Sequence, residues 1–377
     1  MKHPVTHVDV LVRGAGIVGQ SLALSLARLG LQVGLRPDEP RAHAAPDVRA
    51  YALNAASVAL LKGLKVWDSL PAQAATPVYD MHVQGDAEGA AIDFSAWEQR
   101  VGELAWIVDA PVLERELGAA IRFSPHVHVL DAEQADRVQA DLSALCEGKA
   151  SASRAGLGVR FERHDYGHSA IAARLVASQP HQGVARQWFR SPDVLALLPF
   201  DAPQPERSYA LVWSMPRERA NDLMALDDAA FSASLMDATR GEAGDLQLAS
   251  ARAEWPLAIA AASAWSGPGW VLLGDAAHLV HPLAGQGLNL GLADVAALTR
   301  VIAAREPWRP LGDEKLLRRY ARERALPTWA MGQVTDGLLR LFAQPAPAAR
   351  ELRNRGLGLV NRLTPLKRWL TARALDA

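Results

Sequence analysis

The hydrophobic pattern of the first sixty residues predicts a strand, a turn, a helix and a second strand. Residues 8–12 hold three valines and a leucine, a run typical of a buried parallel strand. Leu22, Leu26 and Leu29 then fall on one helical stripe, which stops at Gly30. Residues 31–35 form the next apolar run. This order is typical of the start of a parallel α/β sheet.

The pattern changes in the middle of the chain and then returns. From Tyr166 to Met215, short β-rich runs are separated by turn residues, which predicts an antiparallel sheet. Helical spacing predicts helices at 59–70, 106–121 and 221–240, and beyond Arg318. Residues 270–298 repeat the strand–loop–helix order. We therefore predict an α/β (α+β) fold: a Rossmann-like nucleotide-binding domain, an inserted antiparallel β-sheet substrate domain and a helical C-terminal tail.

Length and composition narrow the class of protein. A chain of 377 residues exceeds the usual size of one core, so we expect two domains and a tail. We place the nucleotide-binding domain at 1–75, 100–160 and 256–340, the substrate domain at 76–99 and 161–255, and the C-terminal helical segment at 341–377. The net charge of −1 argues against a nucleic-acid partner. The single cysteine, Cys146, excludes an internal disulfide and a cysteine metal cluster.

The turn Gly14-Ala-Gly16-Ile-Val-Gly19 lies between the first strand and the first helix. In this context Gly14 permits a tight turn, Gly16 lets backbone approach a pyrophosphate, and Gly19 lets helix and strand pack closely. An ordinary tight turn between strand and helix is the alternative. The carboxylate expected at the end of the second strand is missing, since Arg36 and Pro37 occupy its place. Arg36 could instead meet a phosphate, or Asp38 could reach back to the ribose.

The stretch WVLLGDAAHLVHPLAGQGLNLGLADVAAL, residues 270–298, combines features that suit a flavin. Asp275 follows a buried strand, where its carboxylate can accept hydrogen bonds from sugar-like hydroxyls. Gly285, Gly287 and Gly291 allow the backbone to lie against a flat ring. The helix expected near Leu288 directs its N-terminus at that ring and would stabilise negative charge on it.

This stretch resembles the second FAD fingerprint of the flavin-dependent aromatic hydroxylases with the p-hydroxybenzoate hydroxylase fold. It is most similar to the ubiquinone-biosynthesis branch. Residues 47–70, 165–200 and 255–257 resemble further segments of that family, so the likeness covers most of the chain. The matching fingerprint positions are Gly274, Asp275, His278, His281, Pro282, Gly285, Gln286, Gly287, Asn289 and Gly291.

The resemblance implies the cofactors and the reaction. NAD(P)H would reduce FAD, and one oxygen atom of O₂ would be transferred to an aromatic ring, here a polyprenylated phenol. No second glycine turn of this type is present in the sequence, so NAD(P)H would bind transiently. The only catalytic candidate among the side chains is His281, and no metal is expected. The cofactor-binding residues implied are Gly14, Gly16, Gly19, Arg49, Asp275, Pro282, Gly285, Gly287, Leu288 and Asn289.

Two departures from the family pattern keep other functions open. The family's middle fingerprint, Ala-Asp-Gly, stands here as Cys146-Glu147-Gly148, although Ser151 and Arg154 are retained. Together with the missing ribose carboxylate, this puts the use of FAD or NAD(P)H in question. The alternatives are an accessory or lipid-binding subunit without strong activity, and a prenyl reductase on the same fold.

The C-terminal segment bears on location. From Ala348 onward it has seven Lys and Arg residues against two acids, interleaved with leucines. This pattern fits a helix on an anionic membrane surface or one packed on its own domain. The N-terminus lacks a signal-peptide core, so we expect a cytoplasmic protein with possible contact at the inner membrane face. The oligomeric state is left open.

Overall fold

The computed structural model describes residues 5–38, 47–85, 90–280, 286–326 and 328 of the chain. Within them the strands are β1 (His7–Arg13), β2 (Val33–Arg36), β3 (Ala50–Leu53), β4 (Ala75–Val78), β5 (Asp80–Gln84), β6 (Ala91–Ser95), β7 (Ala105–Asp109), β8 (Val127–Val129), β9 (Gln139–Leu145), β10 (Phe161–Ala177), β11 (Val184–Arg190), β12 (Asp193–Phe200), β13 (Ser208–Pro216), β14 (Leu246–Leu248), β15 (Ala253–Ala262), β16 (Ser266–Gly267), β17 (Trp270–Leu272) and β18 (His278–Leu279). The helices are α1 (Ile17–Ala27), α2 (Ala55–Gly63), α3 (Ala96–Gln99), α4 (Ala110–Arg122), α5 (Ala132–Arg137), α6 (Ala152–Gly156), α7 (Arg217–Ala225), α8 (Asp228–Thr239) and α9 (Gln286–Ala303), and residues 314–326 are also helical.

A six-stranded sheet forms the first layer, in the order β16-β17-β9-β1-β2-β8. Strands β17, β9, β1, β2 and β8 run parallel, and β16 is antiparallel at the edge. The apolar stripes of α1, α4 and α9 pack in one core with β1 and β2, through residues such as Leu22, Leu117 and Leu298. Because β1 and β9 come from the start of the chain and β17 from its second half, the two ends of the described chain build this sheet together.

A second sheet of nine strands follows the order β18-β15-β10-β13-β12-β11-β5-β6, with β14 also paired to β10. Strands β10 to β13 are antiparallel, as predicted for residues 166–215. One face of this sheet is covered by α7 and α8, whose Leu223 and Phe231 pack against Trp213. These two sheet types confirm the mixed α/β fold class, while the predicted domain limits stay predictions.

A small antiparallel sheet, β3-β7-β4, lies between the two large ones. Its Ala50, Ala52 and Ile107 pack against Leu198 and Phe200 of the nine-stranded sheet. The strand β3 leads into α2, which packs on the six-stranded sheet through Leu61. This sheet therefore couples the second face of the nine-stranded sheet, opposite α7 and α8, to the nucleotide-binding side.

Three predicted helices are wrong in their extent. The stretch 106–121 begins as strand β7 and becomes helical only at Ala110, because the side chain of Asp109 caps α4 there. The helix expected at 59–70 is α2 followed by a short 3₁₀ turn at Trp67–Ser69, because Lys65 takes a left-handed conformation, with φ 63°, between them. The helix expected at 221–240 is divided into α7 and α8. Periodicity alone indicated one continuous helix here. Asp227 is extended, and its side chain accepts a hydrogen bond from the amide of Ala230, so α8 begins as a separate helix after it.

Candidate functional site

The glycine turn joins β1 to α1 at the carboxyl edge of the six-stranded sheet. Gly14 has φ 98°, and a Cβ there would lie 2.3 Å from the carbonyl oxygen of Cys146. A Cβ on Gly19 would lie 1.9 Å from the carbonyl oxygen of Gly14. The protein's own packing against the end of β9 therefore accounts for both glycines.

Gly16 differs because the protein does not crowd it. For a Cβ at Gly16, the nearest atom among the described residues is Glu114 Oε1, at 3.9 Å. Gly16 is also the N-cap of α1, and no side chain of the described residues caps that helix end. The first amides of a helix lack intrahelical partners and attract anions. An open position above free amides fits the close approach of a pyrophosphate.

Asp275 lies in a 3₁₀ turn, Gly274–Ala276, directly after β17. Asp275 is exposed to solvent, yet the protein around it desolvates the carboxyl and raises the pKa of Asp275 above its usual value. His278, Lys149 and Arg49 partly oppose that rise. An exposed carboxylate at this sheet edge is accessible to ligand hydroxyls, from which it can accept hydrogen bonds.

A buried carboxylate, Asp294 of α9, fixes this turn from beneath. Its Oδ2 accepts hydrogen bonds from the amide of Gly274 at 3.0 Å and from His278 Nε2 at 2.7 Å. Its Oδ1 accepts from Arg324 Nε at 2.7 Å. Burial alone would raise the pKa of Asp294, but His278 and Arg324 outweigh it and hold that pKa below its usual value. The turn, β18 and the helical segment 314–326 therefore meet at one charged group.

Arg49 directly precedes β3. Its Nε and Nη2 donate to the two carboxylate oxygens of Asp47 at 2.8 and 2.6 Å, and Nη1 donates to Tyr51 Oη at 3.0 Å. The hydrogen bond with Asp47 raises the pKa of Arg49, and Glu114 adds to the rise. The charges of Asp275 and Glu114 also act on Tyr51, and α9 contacts both β3 and the turn of Asp275. Glu114 is in turn the nearest described side chain to Gly16, so Gly16, Arg49 and Asp275 belong to one neighbourhood.

Helix α9 carries the remaining described candidates. Asn289 Oδ1 accepts from the amide of Asn54 and from Ser57 Oγ, and Nδ2 donates to the carbonyl oxygen of Ala52. This side chain therefore ties α9 to β3 and α2. Leu288 is buried in the main core, and for a Cβ on Gly287 the nearest atom among the described residues is Cγ2 of Val280, at 4.0 Å. Gly287 is as uncrowded as Gly16, which suits a flat ring against the backbone.

Three predicted site residues, His281, Pro282 and Gly285, lie outside the described residues. Their roles stay predictions. The predicted C-terminal segment at 341–377 also lies outside them.

The altered middle fingerprint has a role within the protein. Glu147 accepts hydrogen bonds from Ser151 Oγ at 2.6 Å and Ser153 Oγ at 2.7 Å, so it closes the start of α6. Arg154 donates to the carbonyl oxygen of Ala276 at 2.9 Å, next to Asp275. Arg36 Nη1 lies 3.9 Å from Glu147 Oε1. The substitution of Glu for Asp is thus accommodated by local hydrogen bonds, and the retained Arg154 supports the candidate flavin loop.

Sequence reasoning missed Tyr51, Glu114 and Asp294. Tyr51 could have been found, because residues two apart on a strand share a face and Arg49 was already a candidate. Asp294 carried a signal as a lone acid in an apolar helical run, since a buried charge requires partners. Its partner Arg324 is 30 residues away and carried no such signal.

Two absences within the described residues bear on other classes of function. They contain no group of three or more His, Cys, Asp or Glu side chains that could hold a metal ion. No helix in the described part of the chain is both long and apolar enough to cross a membrane.

Comparison with known proteins identifies the family to which this chain belongs. Residues 7–335 match the family described as "FAD binding domain". The chain is 31% identical to 3-demethoxyubiquinol 3-hydroxylase of Escherichia coli, over 97% of this chain and 98% of that protein. It is 28% identical to the ubiquinone hydroxylase UbiL of Rhodospirillum rubrum, over 97% of this chain and 89% of that one.

A solved structure shares the fold. The structure of PqsL from Pseudomonas aeruginosa in complex with 2-aminobenzoylacetate superimposes with a TM-score of 0.76 at 21% identity. The match covers 94% of this chain and all of PqsL.

We predict that Asp294→Asn destabilises the protein and weakens the turn that carries Asp275. Breaking a buried ion pair leaves its partners uncompensated, which costs about 3–5 kcal/mol. Thermal unfolding should show a melting temperature several degrees lower, and the affinity for added FAD should fall as well. The matched control is Asp228→Asn, because Asp228 pairs with Arg252 at the surface and is 79% exposed. Equal melting temperatures for both variants would contradict the assigned role of Asp294.

Proposed function

Because this chain belongs to the FAD binding domain family, we propose that it is an FAD-dependent monooxygenase that hydroxylates the aromatic ring of a ubiquinone precursor. The relatives named ubiquinone hydroxylases support this substrate class. The observation that carries the proposal is that Gly16 and Asp275 follow the parallel strands β1 and β17 at the carboxyl edge of the six-stranded sheet, with Arg49 near enough for its charge to act on Asp275. We assign the cleft between these residues to FAD. Ligands of open α/β sheets bind at this edge.

The described residues fit FAD at both ends of that cleft. The free amides at the start of α1 suit the pyrophosphate, and the open Gly16 gives it room. Asp275 suits the ribityl hydroxyls, and the open Gly287 at the start of α9 suits the ring. When bound, FAD would supply the redox and oxygen chemistry, with NAD(P)H as the reductant.

The protein's own task is then to bind, orient and shield. Asp275 accepts hydrogen bonds and Arg49, held by Asp47, provides fixed positive charge. The face of the nine-stranded sheet opposite α7 and α8 would line the substrate side of the cleft with apolar side chains, which keep water from the reacting ring. His281 stays the candidate among side chains for a catalytic role.

The finer points of the substrate and location are part of the same proposal. A polyprenyl tail on the ring would remain in lipid, and the basic, leucine-rich segment 341–377 would bring the protein to the membrane surface. The accessory-subunit alternative is less well supported, because Arg154 of α6 donates to the carbonyl oxygen of Ala276 beside Asp275, and Glu147 accepts a hydrogen bond from Ser151 at the start of that helix.

The activity itself is tested with a methoxyphenol that carries one isoprene unit. Protein loaded with FAD should consume NADH or NADPH and place one atom of isotope-labelled O₂ on the ring, measured by mass spectrometry. Reductant consumption without labelled product, in the presence of bound FAD, would favour the accessory role. A reduced prenyl chain in place of a hydroxylated ring would instead indicate the prenyl reductase.

Asp275→Ala should weaken FAD binding. A hydrogen bond to a charged group contributes about 1.5–3 kcal/mol, so the dissociation constant should rise about 10- to 150-fold. Flavin fluorescence titration measures it. Asp228→Ala is the control for removal of a carboxylate elsewhere, since Asp228 is exposed. Unchanged affinity in Asp275→Ala would contradict the placement of the ribityl chain.

A further inference from the structure

The two faces of the nine-stranded sheet differ in what covers them. On one face Trp213, Leu211 and Met215 are packed under α7 and α8. Side chains alternate between faces along a strand, so Val212 and Ser214 belong to the other face. Arg174 of β10 shares that face, and its Nη2 donates to the carbonyl oxygen of Arg49 at 3.0 Å. This second face, opposite α7 and α8, therefore turns toward the cleft that we assign to FAD.

Small residues occupy most of this face near Ser214. The strand register places Ala170 and Val194 on either side of Ser214. The next row holds Ala172, Val212 and Ala196. Trp255 of β15 pairs with Ala170 and closes this row at one end. A flat ring would lie over the small side chains, beside this indole.

Ser214 is the polar side chain within this row. It is 5% exposed, and its Oγ has no hydrogen-bond partner in the described part of the chain. An unpartnered buried hydroxyl is costly, about 1–3 kcal/mol. No hydrogen bond within the described protein accounts for this hydroxyl. A hydrogen bond to an oxygen or nitrogen of a bound ligand would account for it.

A second unpartnered atom lies close by on β10. His168 pairs with Pro216, and Ala170 pairs with Ser214, so His168 and Ser214 are diagonal neighbours on one face. Such neighbours are about 7–8 Å apart. His168 Nδ1 lies 2.9 Å from the carbonyl oxygen of Tyr166, and a carbonyl only accepts, so Nδ1 carries the proton. In the neutral ring Nε2 is then an acceptor, and it is buried without a partner among the described residues.

We infer that Ser214 and His168 orient the substrate by binding oxygen substituents of its aromatic ring. His168 Nε2 accepts a hydrogen bond from a ring hydroxyl, and the Ser214 hydroxyl donates to a neighbouring ether or carbonyl oxygen. The ligand class is thus a ring with adjacent hydroxyl and alkoxy groups. The inference rests on the proposed function and adds two positioning residues to it.

The test compares Ser214→Ala with Ser169→Ala. Ser169 is 1% exposed and its Oγ is also unpartnered in the described structure, but it pairs with Met215 on the helix-covered face. Both variants therefore remove a buried, unpartnered hydroxyl from the same sheet. His168→Asn is the third variant, because Asn keeps a donor near Tyr166 and lacks Nε2.

The probes are the prenylated methoxyphenol and a matching prenylated dimethylbenzene without ring oxygens. Ser214→Ala and His168→Asn should keep FAD content and the reductant oxidation seen without substrate. For the methoxyphenol, each should raise the KM and the dissociation constant from calorimetry about two- to tenfold, with more uncoupled peroxide. Neither should change binding of the dimethylbenzene, and Ser169→Ala should match wild type with both probes.

Three results would overturn the inference. If wild type hydroxylates the methoxyphenol but Ser214→Ala and His168→Asn behave like Ser169→Ala, the two residues do not orient the ring, and the proposed function stands. If the variants lose both probes equally, their effect is on packing and the inference also fails. If wild type binds FAD but neither binds nor hydroxylates the methoxyphenol, the proposed function fails and the inference with it.

Discussion

The buried carboxylate of Asp294 is the interaction on which the candidate flavin site depends. It belongs to α9, yet its partners are a backbone amide after β17, a histidine of β18 and an arginine of the segment 314–326. A charge that is fully buried must be paired to be tolerated. Since its partners come from three different segments, the turn with Asp275 has little freedom to shift relative to α9. The position of the proposed ribityl acceptor is therefore a consequence of core electrostatics.

A second constraint is steric and acts on the other end of the cleft. Gly14 and Gly19 let β1, α1 and the end of β9 approach within distances that a Cβ would not allow. That close packing brings the uncapped start of α1 to the sheet edge, while Gly16 itself stays open. Arg174 then links the nine-stranded sheet to the main chain of Arg49. Short polar contacts thus fix the proposed cofactor cleft and the proposed substrate face relative to each other.

Much of this architecture follows from local sequence patterns. The strand at 8–12, the helix after Gly19 and the antiparallel strands from Tyr166 to Met215 are set by periodicity and turn residues, so they could be predicted. The break between α7 and α8 was missed because helical spacing continues across it and only the capping of Ala230 by Asp227 interrupts it. The role of Glu147 could not be derived either, because its partners Ser151 and Ser153 matter only once α6 is formed. Asp294 with Arg324, and the unpartnered Ser214, depend on contacts between elements, which a linear pattern does not encode.

The central claim is that this cleft holds FAD, and an absorption spectrum of the freshly purified protein tests it most directly. The account predicts flavin bands in stoichiometric amount, either as purified or after addition of FAD and removal of the excess. A folded, colourless protein that retains no flavin after this treatment would contradict it. That result would mean that the fold and its Asp294 cluster persist without the cofactor.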